Sequence, residues 1–211
     1  MNWPLFIDTA RKKPVWTSFV LCLVLFVPVF IFCNPRYETN DDLFMNGIVS
    51  GFFAGKPDAH LPYSHFVIGL ILSGLFKYSA LLNWYALYLS ATHVISWFIL
   101  FYVFLRQVNH WAIPLAAIGL FVWLEPLFYT QLQFTTTAAL AGVSGMALIF
   151  TAFQQEKTRL FNLIAGMAML LFSFMIRDTS AYLSILLCAV PFIAFRKWKR
   201  MLRPALTGCV V

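Results

Sequence analysis

Acidic side chains are scarce in this chain: 211 residues hold eight Asp and Glu against fifteen Lys and Arg, and charged residues of all kinds make up 11%. A soluble domain carries roughly a quarter of its residues charged, so the deficit argues against a water-exposed globule. Cysteine is sparse as well. Cys22, Cys33, Cys188 and Cys209 stand in or at the ends of apolar segments, with neither CxxC nor Cys/His spacing, and read as apolar filler. No stripe of Lys and Arg with interleaved aromatics lies on a polar background, which argues against nucleic acid despite the net charge of +7. The first apolar run is followed by no small-residue Ala-x-Ala site and is expected to remain as an anchor.

What is abundant is apolar surface. Hydrophobic residues reach 61%, aromatics 18% and mean hydropathy +0.79, more than a soluble domain of this length can bury. The expected fold class is all-α, a polytopic membrane bundle of six to seven transmembrane helices forming one domain over residues 1–211. Spans are predicted at Pro14 to Cys33, Asn83 to Leu105, Trp111 to Leu127, Thr136 to Phe153, Leu160 to Arg177 and Ser180 to Phe195. A further apolar segment opens after Arg203, and a chain ending inside it reads as the front part of a longer protein.

Ser64 to Ala80 decides the topology. If it does not cross, eleven Lys and Arg fall on the side of the N-terminus and four (Arg36, Lys56, Lys77 and Arg177) on the other; if it crosses, the counts become five and ten. Lys and Arg favour the cytoplasmic side, so the first arrangement is expected, with a cytoplasmic N-terminus in the plasma membrane. Ser64 to Ala80 then dips into the outer interface. Glu38, Asp41, Asp42, Asp58, Glu125 and Asp178 gather on the outer face, leaving Asp8 and Glu156 inside.

In the first outer loop, Thr39 or Asn40 can cap a helix whose first turn holds Asp41 and Asp42, at the positive end of the helix dipole. Phe44, Met45, Ile48, Val49, Phe52 and Phe53 form one apolar face, and the helix is expected to float at the interface; Asn46 lies off that face and is a candidate substrate contact. Adjacent carboxylates repel. One of the pair is suited to general-base work, or the two share a divalent cation such as Mg or Mn, or they only complement the helix N-terminus. Arg177, directly after the apolar Met167 to Ile176, can hold a phosphate, pair with Asp178 or snorkel to headgroups.

Glu125-Pro126 and Thr130 to Thr137 read as a second outer loop, where Gln133 and the Thr side chains contact sugar hydroxyls with Glu125 orienting them, or only cap the helix beginning near Thr136. His60, His65 and Asp58 match no strong metal motif, and His93 is expected to be hydrogen-bonded between helices. Trp84, Trp97, Trp111 and Trp123 read as interface belt and lipid-facing bulk. Gly142 and Gly145, with Ala138, Ala139, Ala141 and Ser144, read as a close-packing face.

The first span, the acidic pair in Tyr37-Glu38-Thr39-Asn40-Asp41-Asp42 and the loop through Gly55-Lys56-Pro57-Asp58-Ala59-His60 resemble the GT-C superfamily of polytopic glycosyltransferases. The likeness covers most of the chain in layout and about its first 80 residues in motif. It implies sugar transfer from a polyprenyl-phosphate donor at the outer face, with Asp41 or Asp42 activating the acceptor or holding a metal, and Arg177 meeting the donor phosphate. Family members are longer, so part of that site is expected beyond this chain. The competing classes are a transporter or flippase, marked by intramembrane polar residues, and a non-catalytic membrane subunit.

Overall fold

The computed structural model describes residues 12–107, 112–153 and 159–194. Among them are eight helices and one pair of two-residue strands. The order is α1 (Pro14–Phe32), β1 (Arg36–Tyr37), α2 (Asn40–Ser50), α3 (Phe66–Tyr78), α4 (Trp84–Gln107), α5 (Ala112–Thr130), β2 (Gln131–Leu132), α6 (Phe134–Ala152), α7 (Arg159–Ile176) and α8 (Asp178–Ala194). Hydrocarbon offers no partner to a backbone amide, so apolar runs of this length close their hydrogen bonds internally as helices.

The molecule is an all-α multi-pass membrane bundle. Five described helices, α1, α4, α5, α6 and α7, are long and apolar enough to cross a membrane. Helix α8, with 17 residues, is a shorter apolar helix, about 26 Å in length. The segment after Arg203 lies outside the described residues, as do Arg11, Lys157 and the basic residues from Arg196 onward that dominate the charge count.

Helix α6 is the hub. Its small residues pack as the sequence suggested: a Cβ built on Gly145 would lie 2.8 Å from the Gly166 carbonyl of α7, and one on Gly166 would lie 2.7 Å from the Gly145 carbonyl. Ser173 of α7 donates to the Ala138 carbonyl at 2.7 Å, and Gly142 leaves room for Ser184 of α8. By contrast, α1 turns only Ser18, Cys22, Phe26 and Val29 inward, one stripe at three- and four-residue spacing, and leaves its other faces outward.

One end of the bundle carries the connections that matter. The strands pair in parallel, Arg36 with Gln131 and Tyr37 with Leu132, joining the chain after α1 to the chain after α5. Asn83 Nδ2 donates to the Tyr37 hydroxyl at 2.8 Å, bringing the start of α4 to the same end. Ser64 donates to the Ile176 carbonyl at 2.8 Å, and the His65 amide to Met175, which fixes the start of α3 beside the end of α7. With 13 residues, α3 is about 20 Å long, and the segments on either side of it are both fastened at this loop end.

Helix α2 is docked on the bundle through one side. Met45 and Val49 are completely buried in a core with Leu72, Tyr85, Leu89, Phe134 and Ile176, while Leu43, Phe44, Phe52 and Phe53 face outward. The apolar face read from the sequence is split: its inner half docks α2 onto the bundle. Gly51 ends the helix at φ +81°, a left-handed conformation, with Lys56 and Pro57 backbone packed where a Cβ would stand.

Candidate functional site at the loop end

Thr39 is the N-cap of α2, in extended conformation, and its hydroxyl is turned away from the helix amides. It donates to Asp42 Oδ2 at 2.8 Å. Asp42 Oδ1 accepts from the Tyr85 hydroxyl at 2.9 Å and from the Phe134 amide at 3.0 Å. One carboxylate thus joins α2, α4 and α6. The Phe134 amide belongs to the first turn of α6, where an amide has no intrahelical partner, so Asp42 meets the positive ends of two helices. Asp42 is fully buried, and burial holds its carboxyl above the ordinary value even against the lowering effect of its donors. Tyr37, nearby, is pushed up to about 12, chiefly by burial.

Asp41, the other half of the pair, is exposed. The two residues expected to act together are therefore separated by environment, with Asp42 fastening the fold and Asp41 open at the surface. Asn46 stands one turn after Asp42, and its Oδ1 is buried without a hydrogen-bond partner.

Arg177 lies between α7 and α8. Its guanidinium is stacked over the Phe134 ring at 4.8 Å, its Nη1 donates to the Thr135 hydroxyl and its Nε donates to Thr179 at 3.1 Å. Asp178 instead accepts from the Thr179 amide at 2.6 Å. Phe134 is thus the meeting point: its amide holds Asp42 and its ring carries Arg177. Gln133, immediately before it, is the N-cap of α6, and its carbonyl accepts from Thr136 and Thr137.

Glu125 is a correction. Pro126 does not end the helix, α5 continues to Thr130, and Glu125 is fully buried inside it rather than placed in an outer loop. A proline in a membrane helix is tolerated because neighbouring groups re-satisfy the freed backbone, so it is a poor stop signal there. The Glu125 carboxylate meets His93 Nδ1 at 2.9 Å and accepts from Trp97 Nε1 at 2.6 Å. His93 is hydrogen-bonded between helices, as its isolation in an apolar span suggested. Trp97, expected among the lipid-facing aromatics, is buried at 2% exposure.

Two apolar grooves of about 360 Å³ each lie between spans. One runs between α1 and α4 past Cys22 and Phe26. The other lies among α4, α5 and α6, from Phe104 to Phe128 and Thr136, the neighbour of Thr135. Asp58 and His60 are paired at 2.8 Å on the surface, and the His60 contact lowers the Asp58 carboxyl; His65 caps α3. Among the described residues no three His, Cys, Asp or Glu gather around one point. Asp42 accepts from three donors, while its neighbour Asp41 stands exposed.

Sequence reasoning missed Tyr85, the junction made by Phe134 and the buried, unpartnered hydroxyl of Tyr88. Tyr85, Tyr88, Thr92 and Ser96 recur at three- and four-residue spacing along α4, a polar stripe that was a usable signal. No family model, no curated protein and no solved structure matches this chain.

Proposed function

We propose that this chain is a membrane glycosyltransferase of the GT-C type, moving a sugar from a polyprenyl-phosphate donor to an acceptor at the loop end, which faces outward with the N-terminus cytoplasmic. The observation that carries the reading is the meeting at Phe134 of Asp42 on the amide and Arg177 on the ring, beside exposed Asp41. Arg177 offers a phosphate a charge-assisted, two-pronged contact. The acceptor oxygen attacks the anomeric carbon, the bond from that carbon to the phosphate oxygen breaks, Asp41 takes the acceptor proton, and the departing phosphate keeps the bond's electron pair against Arg177. In this reading Asn46 and Gln133 contact sugar hydroxyls. The groove that reaches Thr136 suits an isoprenoid chain.

A second reading, a transporter or flippase, is favoured by one observation: the buried His93–Glu125 pair within helices long enough to span. Proteoliposomes containing polyprenyl-phosphate sugars separate the two. Transferase function predicts covalent transfer to an added acceptor, reduced about 100-fold or more by Asp41→Asn. Movement of the lipid-linked sugar between leaflets without covalent transfer, unaffected by Asp41→Asn, favours the transporter and removes the first reading.

A further inference from the structure

Tyr63 is half exposed in the segment before α3, yet its place is fixed. Leu61, two residues earlier, is buried in one core with Met45 and Phe134, and Pro62 between them holds its own φ at one value. After Tyr63, the Ser64 hydroxyl donates to the Ile176 carbonyl at 2.8 Å and the His65 amide to the Met175 carbonyl at 2.8 Å. The segment is thus laid along the last turn of α7, directly before Arg177.

The Tyr63 ring stacks on the Phe134 ring, with centroids 6.0 Å apart and planes 22° from parallel. Phe134 is fully buried, so this side of Tyr63 faces the core and its exposure belongs to the other side. The same Phe134 ring carries the Arg177 guanidinium at 4.8 Å. Nε and Nη1 of Arg177 donate to Thr179 and Thr135, and among the described residues Nη2 has no hydrogen-bond partner. An open aromatic face and free guanidinium hydrogens are therefore both anchored on one buried ring.

These two groups match the two halves of one molecule. A β-linked pyranose carries axial C–H bonds at C1, C3 and C5 on one face, an apolar surface that packs on the negative face of an aromatic ring. The phosphate joined at C1 takes charge-assisted hydrogen bonds from a guanidinium. The exposed Asp41 is held at the same junction, because its neighbour Asp42 accepts from the Phe134 amide. An aliphatic side chain in place of Tyr63 would cover Phe134 as well but would present no such face.

The geometry points to Tyr63 as the sugar platform of the loop-end site: the C–H face of a β-linked pyranose lies on its open side while the phosphate at C1 meets Arg177. This rests on the transferase reading and adds a specificity to it. The platform senses the face of the sugar ring rather than its hydroxyl pattern, so glucosyl and mannosyl lipids, which share that face, are held alike, and a lipid phosphate without a sugar is held less.

Equilibrium binding to the full chain in lipid nanodiscs tests it with three phosphodiesters of equal charge: the methyl, β-glucosyl and β-mannosyl esters of decaprenyl phosphate. The wild type should bind both sugar esters about tenfold more tightly than the methyl ester. Tyr63→Leu, which still covers Phe134, should lose that preference and keep its affinity for the methyl ester, while Tyr63→Phe should retain the preference. Arg177→Gln should weaken all three by about tenfold or more. Equal binding of the three esters by the wild type, or a preference that survives Tyr63→Leu, overturns the platform and leaves an Arg177-dependent phosphate site standing. Binding indifferent to Arg177→Gln removes the donor reading and the platform with it. Should Tyr63→Leu not fold, nuclear Overhauser contacts in ¹³C-tyrosine wild type decide: contacts from the Tyr63 ring to the hydrogens on C1, C3 and C5 of the bound glucosyl ester support the platform, and their absence refutes it.

Discussion

At the scale of single residues, Asp41 and Asp42 show how far neighbours in sequence diverge in a helix. A turn of about 100° between successive positions sends one carboxylate into the bundle and leaves the other outside. The pair itself was legible from its rarity, and so was its place in the first turn of a helix. Which carboxylate goes inward was not, because its partners Tyr85 and Phe134 lie 43 and 92 residues away in sequence. Asp42→Ala strands the Thr39 and Tyr85 hydroxyls and the Phe134 amide, and should lower unfolding stability in detergent by about 3 kcal/mol; Asp41→Ala should change it by less than about 0.5 kcal/mol. Because the folded-state value of Asp42 is raised, its contribution is complete below the unfolded carboxyl value and is lost as pH rises through the folded value. Thermal midpoints measured across that window should fall with rising pH in the wild type, and Asp42→Asn should flatten that slope.

At the scale of elements, apolar length and small-residue spacing located the spans, while the irregular pieces misled. Glu125-Pro126 resembled part of an outer loop and lies inside α5, and the face of α2 resembled a membrane-surface helix and is half core. The two have different causes: a proline is tolerated inside a membrane helix, and for α2 the sequence shows that a surface is apolar without showing whether lipid or protein covers it. The close-packing face of α6 was legible from its small residues, while its partner Gly166 on α7 was not. Gly145→Leu and Gly166→Leu should each cost about 2 kcal/mol or more, by overpacking against backbone. Gly74→Leu, which meets nothing within 4 Å, is the matched control and should leave the unfolding midpoint within about 0.5 kcal/mol of wild type.

At the scale of the whole molecule, the loop end is assembled from pieces far apart in the chain: the β1–β2 bridge, the Tyr37–Asn83 contact, the Ser64–Ile176 contact and the Phe134 junction. Cysteines at Lys56 and Asp178, both exposed there, should react with an impermeant thiol reagent applied outside intact cells, while one at Glu125 should be protected. Reaction of the first two only after permeabilisation would reverse the proposed orientation. The convergence of Asp42 and Arg177 on one residue had no counterpart in the sequence, since Arg177 follows Phe134 by two helices, α6 and α7, and the connection between them. The most direct measurement of the central claim is photo-crosslinking with a polyprenyl phosphate that carries a diazirine beside the phosphate. Labelling should map to Gln133 to Thr136 and the Arg177 region, and should fall about tenfold or more in Arg177→Gln. Labelling spread over the outward faces of the spans, unchanged by Arg177→Gln, would contradict a donor site at Phe134.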